Sequence, residues 1–205
     1  RKEVKGYVYV GTGNFNESTA LVYGDFGLFT AEKAIVADTR RVFDFLENTH
    51  KHFQCDRLMV SPYYMRRQFE QLIENEIKNA KKGINAYIYA KFNSLTDENI
   101  IKLLYKAADE GVKIRLIIRG ACCIKTKREN KKAVEVGIPV LDVKVKETLK
   151  SFFDIQWSDN VKSRDLNSPD QNSYIERIGD QKNRSQIMLY DFYKKMYEDR
   201  NTGSY

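Results

Sequence analysis

The residues best suited to chemistry are Gly11-Thr12-Gly13-Asn14, which follow the apolar alternation Val4, Tyr7, Val8, Tyr9, Val10. Two glycines around a hydroxyl residue let the backbone come close to a ligand and aim several N–H groups and the Thr12 hydroxyl at one point, which suits phosphate oxygens. A tight turn that binds nothing uses the same residues. Two cations make a second candidate. Gly83 to Lys91 and Gly111 to Arg119 both run from a helix-stopping glycine through a strand to a basic residue, so the strands deliver Lys91 and Arg119 to one sheet edge. Ligands of open α/β sheets bind beyond the carboxyl ends of strands, which makes an anion site plausible there. The alternative is that charged residues simply mark strand ends near water; Gly120, by allowing close backbone approach, favours function for Arg119.

Other chemistries have less behind them. His50 and His52 stand in a polar connector with no Cys or carboxylate at ligand spacing, so a metal site is not expected. Three cysteines, two of them the adjacent Cys122-Cys123, make no disulfide framework, and a reducing cytoplasm fits best. Lys and Arg number 35 against 28 Asp and Glu, a net charge of +7, which favours an anionic partner without choosing it. No run of about 18 apolar residues and no secretion signal is visible, while association with a membrane surface stays open. With 205 residues, 42% of them hydrophobic, the chain can bury a real core and is not a disordered segment.

The elements that must hold these residues follow from periodicity. Residues 1 to about 47 read as a strand, the glycine turn, a second strand near Leu21 to Phe29, and a helix with Ile35, Val36, Thr39, Val42, Phe43 and Leu46 at helical spacing. Three such elements are too few to fold alone, so residues 1–50 read as the end of a domain. From Arg57 a new pattern begins: a short strand at Leu58-Met59-Val60, a helix started by Ser61-Pro62 and carrying Met65 to Ala80, a strand Ala86 to Phe92, a helix Ile100 to Ala108, and a strand Ile114 to Ile118. Strand, helix, strand, helix, strand predicts a parallel sheet. The run Lys125 to Lys132 reads as a solvated basic loop. A strand at Ala133 to Leu141 follows, then helices over Val143 to Val161 and Ser185 to Tyr197, with Asn201 to Tyr205 as a frayed end. Residues 56–205 are the second domain.

Gly11 to Ala20, Tyr23, Asp25 and Leu28-Phe29-Thr30-Ala31 resemble the carboxyl half of polyphosphate kinase. Val60-Ser61-Pro62, Lys91-Phe92-Asn93-Ser94-Leu95, Gly111 to Ile114, Arg119-Gly120-Ala121-Cys122 and Phe153 to Lys162 follow in the same order. The resemblance covers most of the chain. It implies an α/β, phospholipase D-like fold, a mixed sheet with flanking helices, with the end of a first domain and most of a second. It breaks after Ile124, where the family carries about 40 further residues, roughly one βαβ unit, including a histidine at the nucleotide site; such a segment is expected here too. The resemblance further implies reversible transfer of the ATP γ-phosphate to inorganic polyphosphate through a phosphohistidine whose His-x-Lys context is not among these 205 residues, so the bare chain is expected to be inactive.

Residue by residue, the resemblance implies that Asn14 contacts phosphate with the Gly11 turn, that Tyr23 contacts the nucleotide, that Arg119 binds the ATP phosphates and that Glu135 lies near the site. The arginine expected two positions before Glu135 is Ala133, and Lys132 is a candidate substitute. ATP with Mg2+ is the implied cofactor, and polyphosphate with ATP and ADP are the implied partners. A homo-oligomer is expected. A phospholipase D-type nuclease or nucleic-acid-binding domain is the rival reading, though no interleaving of aromatic and basic residues typical of strand-binding grooves stands out.

Overall fold

The computed structural model describes residues 5–50, 53–119, 136–164, 174–175 and 181–202. In chain order the elements are β1 (Val8–Gly11), α1 (Glu17–Ala20), β2 (Gly27–Thr30), α2 (Lys33–Glu47), β3 (Met59–Val60), α3 (Met65–Lys81), β4 (Tyr87–Phe92), α4 (Glu98–Asp109), β5 (Lys113–Ile118), β6 (Val136–Gly137), α5 (Val143–Trp157) and α6 (Ser185–Asn201). The fold is α/β, with small sheets and flanking helices. Two compact units share the chain: Arg1–Asn75 with Lys127–Pro139, and Glu76–Thr126 with Val140–Tyr205. Among the described residues no helix is long and apolar enough to cross a membrane.

In the first unit β1 and β2 form an antiparallel hairpin, Val8 opposite Thr30 and Gly11 opposite Gly27. The second strand therefore starts at Gly27 and not near Leu21. Asn16 is the cause, because its side chain accepts the Thr19 N–H at 3.1 Å and caps the short helix α1. Tyr23 N–H closes that turn on the Thr19 carbonyl, leaving Leu21 89% exposed in the connection. Helix α2 is capped by Glu32, whose carboxylate accepts the Ile35 N–H at 2.7 Å. Its buried Ile35, Val42 and Phe45 pack with Val8, Phe53, Leu58 and Val60 as the core of this unit.

Strand β3 departs from the expected parallel sheet. It pairs antiparallel with β6, Met59 opposite Gly137 and Val60 opposite Val136. The reason is Asp38, fully buried on α2, whose carboxylate accepts the N–H groups of Asp56, Arg57 and Leu58 at 3.1, 2.7 and 3.0 Å and so fastens the lead into β3 to the first core. The Ser61–Pro62 bond is cis, residues 61–64 form a turn, and α3 starts at Met65, later than the proline suggests.

The second unit is built on β4 and β5, paired in parallel from Tyr87 opposite Lys113 to Phe92 opposite Ile118, with α4 as the crossover. Both helix stops have the expected glycine: Gly83 and Gly111 hold φ of 72° and 89°, a conformation that disfavours any side chain. Asp97 caps α4, which packs against β5 and buries Leu104 and Ala107. Asp142 caps α5 by accepting the Val145 N–H at 3.0 Å. From α5, Phe153 stacks on Tyr89 with centroids 5.6 Å apart and planes 9° apart.

Candidate phosphate-binding residues

Within the first hairpin the Thr12 hydroxyl is fully engaged. It donates to Asp25 Oδ1 at 3.1 Å and accepts the Phe26 N–H at 2.9 Å, while Thr12 N–H donates to the Phe26 carbonyl at 3.0 Å. A side chain at Gly13 would overlap the Asp25 carboxylate, so that glycine admits an acid of the protein itself. Gly11-Thr12-Gly13 and Asp25 are thus one interlocked turn. Asn14 is exposed beyond it, and Tyr23, 52% exposed, stands two residues before Asp25. The hydroxyl that sequence alone aims at a ligand is tied to the hairpin, whereas Asn14 and Tyr23 face solvent.

In the second unit Tyr89, Lys91, Arg115 and Ile117 share a face by strand alternation and register, Tyr89 opposite Arg115 and Lys91 opposite Ile117. Arg119 extends the row by one further step, its N–H held by the Phe92 carbonyl at 3.1 Å. Lys91 and Arg119 therefore meet at the carboxyl edge of the sheet. The Lys91 ammonium sits 5.0 Å from the centre of the Phe152 ring on α5. Burial, and then the charge of Arg119, lower the Lys91 pKa from its usual value. Each costs the charged amine something that an anion would return.

Arg115, unremarkable in sequence, ties this face together. Its guanidinium lies 4.9 Å from the Tyr89 ring and 5.5 Å from the Trp157 ring, and Asp154 is 3.8 Å away. Asp159 was also missed as an anchor. Its buried carboxylate accepts the N–H groups of Val161, Lys162 and Ser185 and the Ser185 hydroxyl. Burial opposes its ionisation, but these donors outweigh burial and hold the carboxyl well below the usual range. Neither partnership could be found by spacing, because the partners are 39 and 26 residues apart for Arg115–Asp154 and Asp159–Ser185.

Glu135, Gly120, His52 and the basic run 125–132 lie outside the described residues. Among those described, no group of three or more His, Cys, Asp or Glu converges as metal ligands would. Burial pushes the Cys55 thiol up to about 11, so it is no nucleophile at neutral pH.

Comparison with known proteins decides the family. The description "Polyphosphate kinase C-terminal domain 2" matches residues 58–133 and 126–186, and "Polyphosphate kinase C-terminal domain 1" matches residues 1–52. The chain belongs to the polyphosphate kinase family. It is 32% identical over 237 residues to a polyphosphate kinase of Klebsiella pneumoniae, an alignment covering 95% of this chain and 35% of that protein. To that of Vibrio parahaemolyticus it is 34% identical over 233 residues, 93% of this chain and 34% of the other. A crystal structure of polyphosphate kinase from Porphyromonas gingivalis matches with a TM-score of 0.85 and 31% identity, over 94% of this chain and 36% of that one. The chain thus spans about a third of the length of these relatives. Alignments longer than the 205-residue chain mean that the relatives carry positions without a counterpart here, and the two pieces of the domain 2 match overlap at 126–133.

Proposed function

We propose that the chain handles nucleotide and polymer in an enzyme that reversibly transfers the γ-phosphate of ATP to inorganic polyphosphate, through a phosphohistidine outside these residues. The observation that carries the reading is the pairing of Lys91 with Arg119 on one face at the carboxyl edge of a parallel sheet. Family membership supplies the substrate class. Phosphoryl transfer demands charge neutralisation and alignment more than covalent help from the protein. In this reading Arg119 grips phosphate oxygens with its planar fork and Lys91 adds a point charge. Separately, the family resemblance assigns phosphate contact to Asn14 and the Gly11-Thr12-Gly13 turn, nucleotide contact to Tyr23 and a site role to Glu135.

In this reading Mg2+ arrives on the ATP phosphates. The division into residues 1–50 and 56–205 is the proposed domain boundary, supported by the break between the two family matches, whereas the first compact unit of the structure runs on to Asn75. A homo-oligomer in the cytoplasm completes the reading.

Binding of inorganic tripolyphosphate, measured calorimetrically, tests it. Lys91→Ala and Arg119→Ala should each weaken binding while leaving the circular dichroism spectrum unchanged. Tripolyphosphate affinity indifferent to both changes, or single-stranded DNA outcompeting it, would reject the reading.

A further inference from the structure

We propose that Lys91 is a preferred site of covalent acylation by acyl phosphates, the mixed anhydrides of a carboxylic acid and phosphate. This rests on the anion-site reading of Lys91 and Arg119 and adds a reaction to it. An acyl phosphate carries two features that this place on the sheet answers. Its phosphate is a dianion, which Arg119 can hold in its fork at the carboxyl edge. Its acyl carbon is an electrophile, and the Lys91 Nζ, on the same strand face and over the Phe152 ring, is the amine beside that edge.

A lysine attacks only as the neutral amine, and a second cation and apolar surface beside a lysine both shift it towards that form, while phosphate held by Arg119 places the acyl carbon next to the Lys91 nitrogen. Partial desolvation and the charge of Arg119 both lower the Lys91 pKa from its usual value. The Lys91 nitrogen lone pair forms a bond to the acyl carbon, the carbon–oxygen bond to phosphate breaks, and phosphate leaves with that electron pair. The ammonium proton passes to the departing phosphate or to water. The product is an amide that removes one of the two cations from the edge.

The chain contains its own reference. Lys150 on α5 is also exposed, and its contact with Asp154 raises its pKa and holds its amine protonated. Treating the folded chain with acetyl phosphate and following each lysine by peptide mass spectrometry should show Lys91 acetylated several-fold faster than Lys150. Inorganic tripolyphosphate should protect Lys91 selectively. Arg119→Gln should slow acetyl phosphate at Lys91 more than it slows acetic anhydride, which has no phosphate to be held. Labelling of Lys91 no faster than Lys150, or an equal effect of Arg119→Gln on both reagents, would overturn the proposal. Tripolyphosphate that binds and depends on Arg119, combined with slow Lys91 labelling, removes this inference alone. Tripolyphosphate that does not bind at all removes the anion-site reading together with it.

Discussion

The Asp159 carboxylate accepts both the backbone N–H and the hydroxyl of Ser185, at 2.9 and 2.7 Å. Because Ser185 is the first residue of α6, a residue just past the end of α5 supplies the cap that Arg184, in the cap position, does not. Asn160 adds a second tie: its Oδ1 accepts the Asn183 N–H at 2.9 Å and its Nδ2 donates to the Gln181 carbonyl at 3.0 Å. Asp159→Ala should therefore leave buried donors without an acceptor and destabilise the second unit by about 3 kcal/mol. Urea unfolding read by Trp157, the one tryptophan of the chain, checks this. A loss under about 0.5 kcal/mol, the scale of an ordinary surface substitution, would show the latch to be incidental.

Acid should release two such anchors. Asp159 and Asp38 are both held below the usual carboxyl range, in each case by backbone N–H donors that outweigh burial, with Arg41 assisting Asp38. Their pKa values are lower folded than unfolded, so the unfolded chain takes up protons first as pH falls. The stability they contribute is present above about pH 4, the unfolded value, and is lost as pH drops towards the folded values. Urea midpoints measured from pH 6 to pH 3 should fall in the natural chain and fall less in Asp159→Asn and Asp38→Asn, once their lower starting points are subtracted.

The interlocked hairpin turn makes a prediction about coupling. Gly13→Ala must displace the Asp25 carboxylate, and overpacking of this kind costs about 1–3 kcal/mol. In an Asp25→Ala background the same change should cost much less, because the obstructing group is gone. A double-mutant cycle with equal costs in both backgrounds would mean that the turn relaxes around the new methyl group.

In a longer enzyme that carries the phosphohistidine, Arg119→Lys should lower kcat by roughly ten to a thousandfold, the scale of losing one or two transition-state hydrogen bonds. The Arg119 side chain is exposed at the sheet edge, so Tm should hardly move. Arg119→Ala should be worse. Near-natural turnover in the lysine variant would take Arg119 off the list of phosphate ligands.

Polyphosphate affinity should fall steeply as salt rises, since each neutralised phosphate releases counterions. Lys91→Ala with Arg119→Ala should flatten the slope of log affinity against log salt by about one to two. Replacing Lys127, Arg128 and Lys131 together should flatten it further if the basic run touches the polymer. A slope unchanged by either set of changes would assign polymer binding to other residues.

Much of this was legible in the chain because it is local. Helices α2 through α6 and strands β4 and β5 announce themselves by periodicity and by the glycine stops at Gly83 and Gly111. Parallel pairing of β4 with β5 follows from the helix between them, and so does the delivery of Lys91 and Arg119 to one edge. Ordered motifs from Gly11 to Lys162 were enough to name the family. Spacing could not supply the partners of polar side chains. Asp25 closing on Thr12, Asp38 fastening the lead into β3, Arg115 between Tyr89 and Trp157, and Asp159 capping α6 all join residues far apart in the chain. A carboxylate's sequence neighbours do not reveal which distant N–H groups burial will leave in need of an acceptor. That need arises only when the elements pack, and it is why β3 left the parallel sheet for β6.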